Sequence, residues 1–230
     1  MNDETLREIF AAEAEQYGVE VMRAEFEPFR DLKVRWMRCA HQIEFTVTDY
    51  LSQAPEEIVE ELARTLLTKI YRDSDETYSD AFADWVTSEE FVRLNRETYL
   101  ERCNVLSSDF ESKHHDLQKT YESLVSKGLI EEIPGLSLRW TDNRSIEPLG
   151  VSSVLMRSIV VPTYMDNENI PDDLFEFNLF RLLTNIEMDF KIDPMERKML
   201  TEEKIASYPD SRRLMDSIED HRNLAECGVI

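Results

Sequence analysis

The chain of 230 residues is short of glycine, cysteine and long apolar runs, and each shortage argues against a class of protein. Its five glycines are too few for the glycine-rich loops that hold phosphate groups. The three cysteines, Cys39, Cys103 and Cys227, are odd in number and far apart, which indicates reduced thiols rather than a disulfide framework. No apolar run approaches the roughly 18 residues that a membrane-spanning helix needs.

Positive charge is scarce as well. The chain has 26 Lys and Arg residues against 48 Asp and Glu residues, which gives a formal net charge of −22. This balance argues against nucleic acid or an anionic membrane as a partner bound through a broad basic surface, and leaves only a local basic groove open. The opening stretch MNDETLREIF is acidic and amphipathic, unlike a signal peptide, so we expect a cytoplasmic protein.

The chain contains an internal repeat. PEEIVEELARTLLTKI at 55–70 and PDDLFEFNLFRLLTNI at 171–186 align over sixteen positions without a gap. Both copies begin with Pro and two acidic residues, as the first turn of a helix often does. Apolar residues at helical spacing then predict one buried face on each helix. The residues expected on that face are Ile58, Val59, Leu62, Ala63, Leu66, Leu67, Ile70, Leu174, Phe175, Leu179, Leu182, Leu183 and Ile186.

A second match lies upstream of each helix. LKVRW at 32–36 and LSLRW at 136–140 alternate as half-buried strands do. Each is preceded by an amphipathic stretch and followed by further strand regions, so the repeated unit is a helix, a strand, one or more further strands, and a helix. The stretches expected to be helical are 4–25 and 108–128, the second closing at Gly128, and the further strand regions are 43–51 and 151–165.

We therefore predict a helix-rich α+β fold made of two tandem helix-strand-strand-helix units, with small mixed sheets packed on helices. The first unit is expected at 1–71 and the second, with additional C-terminal helices, at 107–230. A connector at 72–106 is expected to contain helices near 79–86 and 88–103.

Local signals also predict where later helices start. Thr87 and Glu90 have the spacing of a capping box. Asp193 followed by Pro194 is a similar start signal. A last helix is expected at about 210–225.

The order of RW string, strand, Pro with acidic residues and amphipathic helix resembles the small zinc metallopeptidases of the SprT-like and YgjP-like group, called minigluzincins. The resemblance covers about 25–71 and 107–210. In that group the last helix carries HExxH, in which two His one turn apart bind zinc and the Glu activates a water molecule. In its archaeal members a third ligand precedes a Tyr-Pro pair, which here would be Tyr208 and Pro209.

The residues that would carry this chemistry are replaced in both copies. In the second copy Phe180 stands at the first His, Arg181 at the Glu and Thr184 at the second His. The segment 187–207 contains no His to serve as a third ligand. The equivalent positions of the first copy are Arg64, Thr65 and Thr68, and an alternative register there places Glu60, Glu61 and Arg64 on the motif.

The four histidines, His41, His114, His115 and His221, lie away from the motif helices. Cys39 and His41 share one strand face but are too few for a metal site. The adjacent pair His114 and His115 would diverge by about 100° on a helix, so we interpret both as exposed. We therefore expect no metal and no other cofactor.

Arg and Trp recur together as Arg35–Trp36 and Arg139–Trp140. The first interpretation places each Trp in the core and pairs each Arg with a helix carboxylate, Glu60 or Glu176. The alternative is a groove for a partner or ligand beside the motif helices. Its candidate residues are Arg35, Trp36, Glu60, Glu61, Arg139, Trp140 and Glu176.

Three functional hypotheses follow. The first is a catalytically inactive metallopeptidase-like protein that binds another protein or a peptide. The second is a hydrolase with a replacement site, which requires Glu60, Glu61, Glu176 and Arg181 to converge on one pocket. The third is a structural or regulatory subunit whose groove is filled by its own side chains. The identity of the partner and the oligomeric state are left open.

Overall fold

The computed structural model describes residues 1–72, 77–106, 110–143, 147–188, 190 and 192–226. The chain divides into two compact units, Met1–Tyr99 and Leu100–Ile230. Within the described residues each unit combines α-helices with one three-stranded mixed sheet, which confirms the predicted helix-rich α+β fold. None of the described helices has the length and apolar character needed to span a membrane.

In the first unit a central strand pairs with two different kinds of neighbour. The elements are α1 (Asp3–Ala14), β1 (Glu20–Glu27), β2 (Val34–Cys39), β3 (Gln42–Thr48), α2 (Glu56–Arg72), α3 (Asp80–Val86) and α4 (Glu89–Arg102), of which α4 continues past the point of division. The strand order is β1-β3-β2, with β3 parallel to β1 and antiparallel to β2. The buried side chains of β3, such as Phe45, contact Phe10 of α1.

The second unit repeats this arrangement. Its elements are α5 (Leu117–Ser126), β4 (Ser137–Thr141), β5 (Val151–Ser153), β6 (Ser158–Pro162), α6 (Asp172–Glu187), α7 (Pro194–Ala206) and α8 (Ser211–Glu226). The strand order is β4-β6-β5, with β6 parallel to β4 and antiparallel to β5. Helices α3 and α4, predicted as a connector, therefore hold the same place in the element order as α7 and α8.

The topology corrects one part of the predicted repeat. The matched helices α2 and α6 both follow the central strand, but the two RW strings lie on strands that are not equivalent. LKVRW contributes to β2, the antiparallel edge, whereas LSLRW contributes to β4, the parallel edge. The counterpart of β4 is β1. Alternation identifies a strand but contains no information about its neighbours, so the match was misleading.

The helices predicted at the start of each unit, 4–25 and 108–128, were too long. In the first unit α1 gives way to a 3₁₀ turn, and Gly18 then adopts φ +64°, a left-handed conformation that ends helices. The residues after it form β1, not helix. In the second unit α5 starts only at Leu117, because the Asp116 side chain accepts a hydrogen bond from the Lys119 N–H at 3.0 Å. It ends just before Gly128, as predicted.

Of the two predicted helix caps, one is confirmed and the other is displaced by one residue. The start of α4 is capped by Ser88, whose Oγ accepts from the Phe91 N–H at 3.1 Å. The predicted cap, Thr87, instead donates to the Ala83 carbonyl in the helix before it. Asp193 caps α7 as predicted.

The predicted apolar faces of α2 and α6 are buried, with only Ile58 and Ile70 half-buried. Helix α6 is buried around more of its circumference than α2. It packs against α5, α7, α8, β5 and β6, whereas α2 packs mainly against α1 and α3. Phe177, Asn178, Phe180 and Thr184 are therefore buried as well.

A tyrosine follows the central strand in each unit, within a 3₁₀ turn, and the two differ in their hydrogen bonding. In the first unit the Tyr50 hydroxyl donates to the Arg30 carbonyl at 2.9 Å. In the second, the Tyr164 hydroxyl is buried and has no hydrogen-bond partner among the described residues. Burial raises the pKa of Tyr164 to about 12.

We expect Tyr50→Phe to lower the free energy of unfolding by about 1 kcal/mol, because a hydrogen bond is lost. Tyr164→Phe should leave it unchanged or slightly raised at pH 7, because it removes a buried hydroxyl without a partner. The pKa of Tyr164 is higher in the folded chain than the ordinary value of about 10. The neutral hydroxyl therefore contributes stability that is complete below about pH 10 and is lost as the pH rises through about 12. Tyr164→Phe should therefore show a shallower alkaline fall in melting temperature.

Urea unfolding of the two variants and the unchanged chain, with melting curves at several alkaline pH values, measures both effects. Equal destabilisation by the two substitutions at pH 7 would contradict the assignment.

Candidate functional site

In the second unit, the two positions of α6 that the predicted resemblance aligns with zinc-binding His are filled by packed side chains. The Phe180 side chain is 1% exposed, and its ring centroid lies 4.7 Å from that of Tyr208 and 6.4 Å from that of Phe177. Thr184 is buried, and its Oγ1 donates to the Phe180 carbonyl at 2.8 Å. Neither side chain fits a zinc ion, which needs imidazole, thiolate or carboxylate ligands.

Arg181, at the position of the motif's Glu, is partly buried beside α8. Burial, together with nearby Arg222, lowers its pKa, and Glu219 partly opposes this. Its Nε atom is buried without a hydrogen-bond partner among the described residues. A guanidinium stays protonated and has no acceptor, so Arg181 cannot activate water as the motif's Glu does.

Glu176 makes a different ion pair from the predicted one. Its carboxylate accepts from Lys127 Nζ at 2.6 and 2.7 Å and from the Tyr208 hydroxyl at 2.7 Å. The predicted pair with Arg139 is wrong, because Glu176 faces α5 and the turn between α7 and α8, while Arg139 is exposed on β4. Burial raises the pKa of Tyr208 most strongly, and the bond to Glu176 raises it further.

In the first unit, the motif positions attach α2 to α1 or fill the core. Arg64 pairs with Glu13 at 3.1 Å and with Glu61 at 2.5 Å, and these carboxylates raise its pKa. Thr65 is buried. Thr68 donates its one proton to the Arg64 carbonyl at 2.8 Å. The Tyr17 hydroxyl, 2.9 Å from Thr68 Oγ1, is therefore the donor of that second bond.

The two tryptophans of the RW strings have opposite environments. Trp140 is 8% exposed and stacks on Phe175, as predicted for a core residue. Trp36 is 51% exposed, so its predicted core position is wrong. The reason is topological, because β2 is an edge strand. Arg35 pairs with Glu27 at 3.2 Å and lies over the Phe29 ring, rather than pairing with Glu60.

The residues proposed for a replacement hydrolase do not meet within either unit. In the first unit Glu60 is exposed and Glu61 pairs with Arg64. In the second unit Glu176 and Arg181 lie five residues apart on α6, or about 140° around the helix. Glu176 contacts Lys127 of α5, whereas Arg181 lies beside α8.

One histidine differs from its prediction. His115 is 6% exposed, stacks on Phe175, and its Nε2 lies 3.0 Å from the Ile170 carbonyl oxygen. It lies in a loop before α5 rather than on a helix, and this loop is held by Asp166, which accepts from three successive backbone N–H groups. His114 is exposed, as predicted.

In the described part of the chain, no three His, Cys, Asp or Glu side chains are grouped closely enough to hold a metal ion. Cys39 is exposed at the end of β2 and His41 is exposed in the turn before β3, so the prediction that they share one strand face is wrong; Cys103 is buried. Cys227 lies outside the described residues.

The strand β2 presents a surface that the sequence did not reveal. Trp36 and Met37, 51% and 65% exposed, are the two most exposed large apolar side chains described in the first unit. The order β1-β3-β2 leaves one edge of β2 without a strand neighbour among the described residues. The sequence pattern that could have predicted this exposure is VRWMRC, in which apolar residues occur at both odd and even positions. Such a strand cannot bury all of its apolar residues on one face.

The free edge of β2 also presents peptide groups. The Thr48 N–H donates to the Lys33 carbonyl, which places residue 33 among those whose peptide groups face β3. Because this direction alternates along an antiparallel strand, the N–H and C=O groups of Val34, Trp36 and Arg38 point to the free edge.

Comparisons with protein-family models, curated proteins and solved structures found no match to this chain. The minigluzincin resemblance therefore stays a prediction from the residues. Any assignment of function depends on the geometry of the two units.

We expect Phe180→Ala to lower the free energy of unfolding by about 3–5 kcal/mol, because it empties a packed aromatic position. The matched control is Asn185→Ala on the exposed side of α6, which should change it by less than about 0.5 kcal/mol. Urea unfolding measures both. A loss below about 1 kcal/mol for Phe180→Ala would indicate an open position instead of a filled one.

Proposed function

We propose that the chain is a catalytically inactive, metallopeptidase-like protein that binds another protein or a peptide through the edge strand β2. The observation that carries the proposal is the free edge of β2 with Trp36 and Met37 exposed beside it. Neither nucleic acid nor membrane is part of the proposal.

The inactive character is supported by the contacts at the motif positions. Phe180 and Thr184 make the packing and backbone contacts of an ordinary core helix. Arg64 and Thr68 attach α2 to neighbouring helical residues. The side chains at both motifs are thus engaged in holding the fold together.

Binding at β2 is supported by two features that partner proteins use. Strand edges bind extended peptides through main-chain hydrogen bonds, with specificity from alternate side chains. Exposed Trp is enriched among residues that dominate binding energy. Helix α7 exposes Met195 and Met199 one turn apart, but a helix offers no comparable row of free peptide groups.

The second unit takes the structural role in this proposal. Its RW tryptophan is buried and its motif helix is covered on most sides. We assign binding to the first unit and support of the fold to the second, which combines the first and third hypotheses.

The experiment places a photoactivatable cross-linking amino acid at Trp36, and in a control chain at Asn185, both expressed in the native host. We expect a discrete adduct from position 36 and none from position 185. The absence of an adduct from position 36, or the same adducts from both positions, would contradict the assignment to β2.

Metal analysis and peptidase assays of the purified chain test the other half of the proposal. We expect far less than one zinc ion per chain and no cleavage of unfolded protein substrates. Stoichiometric zinc, together with cleavage that a chelator abolishes, would overturn the inactive assignment.

A further inference from the structure

The edge strand β2 lies in a local concentration of positive charge. Four of the six Lys and Arg residues among the first 50 positions fall within 30–38, a stretch with a single acidic residue, Asp31. The chain as a whole has a net charge of −22. At physiological salt, charges beyond about 8 Å are largely screened, so a segment bound at β2 would experience mainly these cations and the nearby carboxylates Glu27 and Glu44.

Part of this charge has no acidic partner. Arg30 pairs with Asp31 at 3.6 Å, and Arg35 with Glu27 at 3.2 Å, both near the surface. Among the described residues, no carboxylate forms an ion pair with Lys33 or Arg38, and the Arg38 guanidinium lies over the Tyr71 ring at 5.2 Å. Lys33 and Arg38 therefore remain available to an incoming carboxylate, whereas a carboxylate beside Arg35 would share that guanidinium with Glu27.

The pairing register assigns the side chains of β2 to the two faces of the sheet. Directly opposed residues of an antiparallel pair share a face. Trp36 and Arg38, opposite Phe45 and Ile43, lie on the helix-covered face. Arg35 and Met37 lie on the other face with Thr46 and Glu44. Each face thus offers one Arg and one large apolar side chain.

We propose that β2 accepts an extended acidic segment of a partner protein as a fourth strand. This inference rests on the proposed function and adds the chemistry of the partner. Two acidic residues three positions apart would lie beside Arg35 and Arg38, and two apolar residues between them would lie beside Trp36 and Met37. The order acidic-apolar-apolar-acidic reads the same in both directions, so it suits a parallel or an antiparallel strand.

Charge argues against a second copy of the chain as the occupant. Pairing the β2 edges of two copies would bring two basic stretches together. It would also join two chains that each carry a net charge of −22. Like charges brought together across an interface disfavour association. An acidic segment would neutralise the same cations.

The test uses the full chain and the synthetic peptide Thr-Val-Glu-Phe-Ile-Glu-Val-Thr, with binding measured by calorimetry. A second peptide has both Glu replaced by Lys. We expect the Glu peptide to bind at least about tenfold more tightly than the Lys peptide, with an affinity that falls as salt is added. Equal binding of the two peptides would overturn the proposed charge selectivity.

Charge reversal on the protein gives the decisive comparison. The double variant Arg35→Glu with Arg38→Glu should lose binding of the Glu peptide and gain binding of the Lys peptide. Arg139→Glu, an exposed Arg on a strand of the second unit, is the matched control and should keep the original preference. Binding of the Lys peptide by the double variant would show that this variant is folded. A double variant that keeps the original preference would overturn the proposal.

Backbone methylation tests strand addition itself. In the Glu peptide, methylation of the alternate amide nitrogens whose N–H groups face β2 should abolish binding. Methylation of the alternate amide nitrogens that face away from β2 should leave binding nearly unchanged. Equal effects of the two sets would overturn strand addition.

Two outcomes separate the inference from the proposed function. If the cross-link at Trp36 forms but no acidic peptide binds, the acidic chemistry is wrong and the binding role of β2 stands. If light scattering shows a dimer that Trp36→Glu dissociates, the occupant is a second copy of the chain and the acidic segment is excluded.

Discussion

The fold of each unit depends on burying one face of the helix that follows the central strand. In the second unit this constraint extends furthest, because α6 is covered by α5, α7, α8 and two strands. Phe180 and Tyr208 are in direct ring contact there, and Glu176 joins Lys127 to Tyr208 around them. The positions that the predicted resemblance aligns with a metal motif are therefore part of the packing between α6 and its neighbours.

The two units share a strand order but differ in the exposure of their edge strands. The parallel edge of the second sheet carries a buried Trp140, whereas the antiparallel edge of the first sheet carries an exposed Trp36. In the proposed function this difference matters, because both units need a covered core for stability whereas strand addition needs one open edge.

The sequence predicted the helices and their buried faces because those signals are local. A 3.6-residue period and a cap such as Asp193 depend only on neighbours along the chain. Strand pairing is not local, so the equivalence of the RW strings, the core position of Trp36 and the partners of Arg35 and Glu176 were all predicted incorrectly. His115 was misplaced because its loop is held by Asp166, about 50 residues away in sequence.

The short turn between β2 and β3 has a consequence for how the first unit folds. A hairpin closed by two residues forms quickly from local contacts, whereas parallel pairing of β1 with β3 must wait for a longer loop to close. We therefore expect the edge of β2 to form before the sheet of the first unit is complete. In the proposed interaction, the charges of Arg35 and Arg38 that select an acidic partner would also disfavour edge-to-edge pairing of two copies during folding.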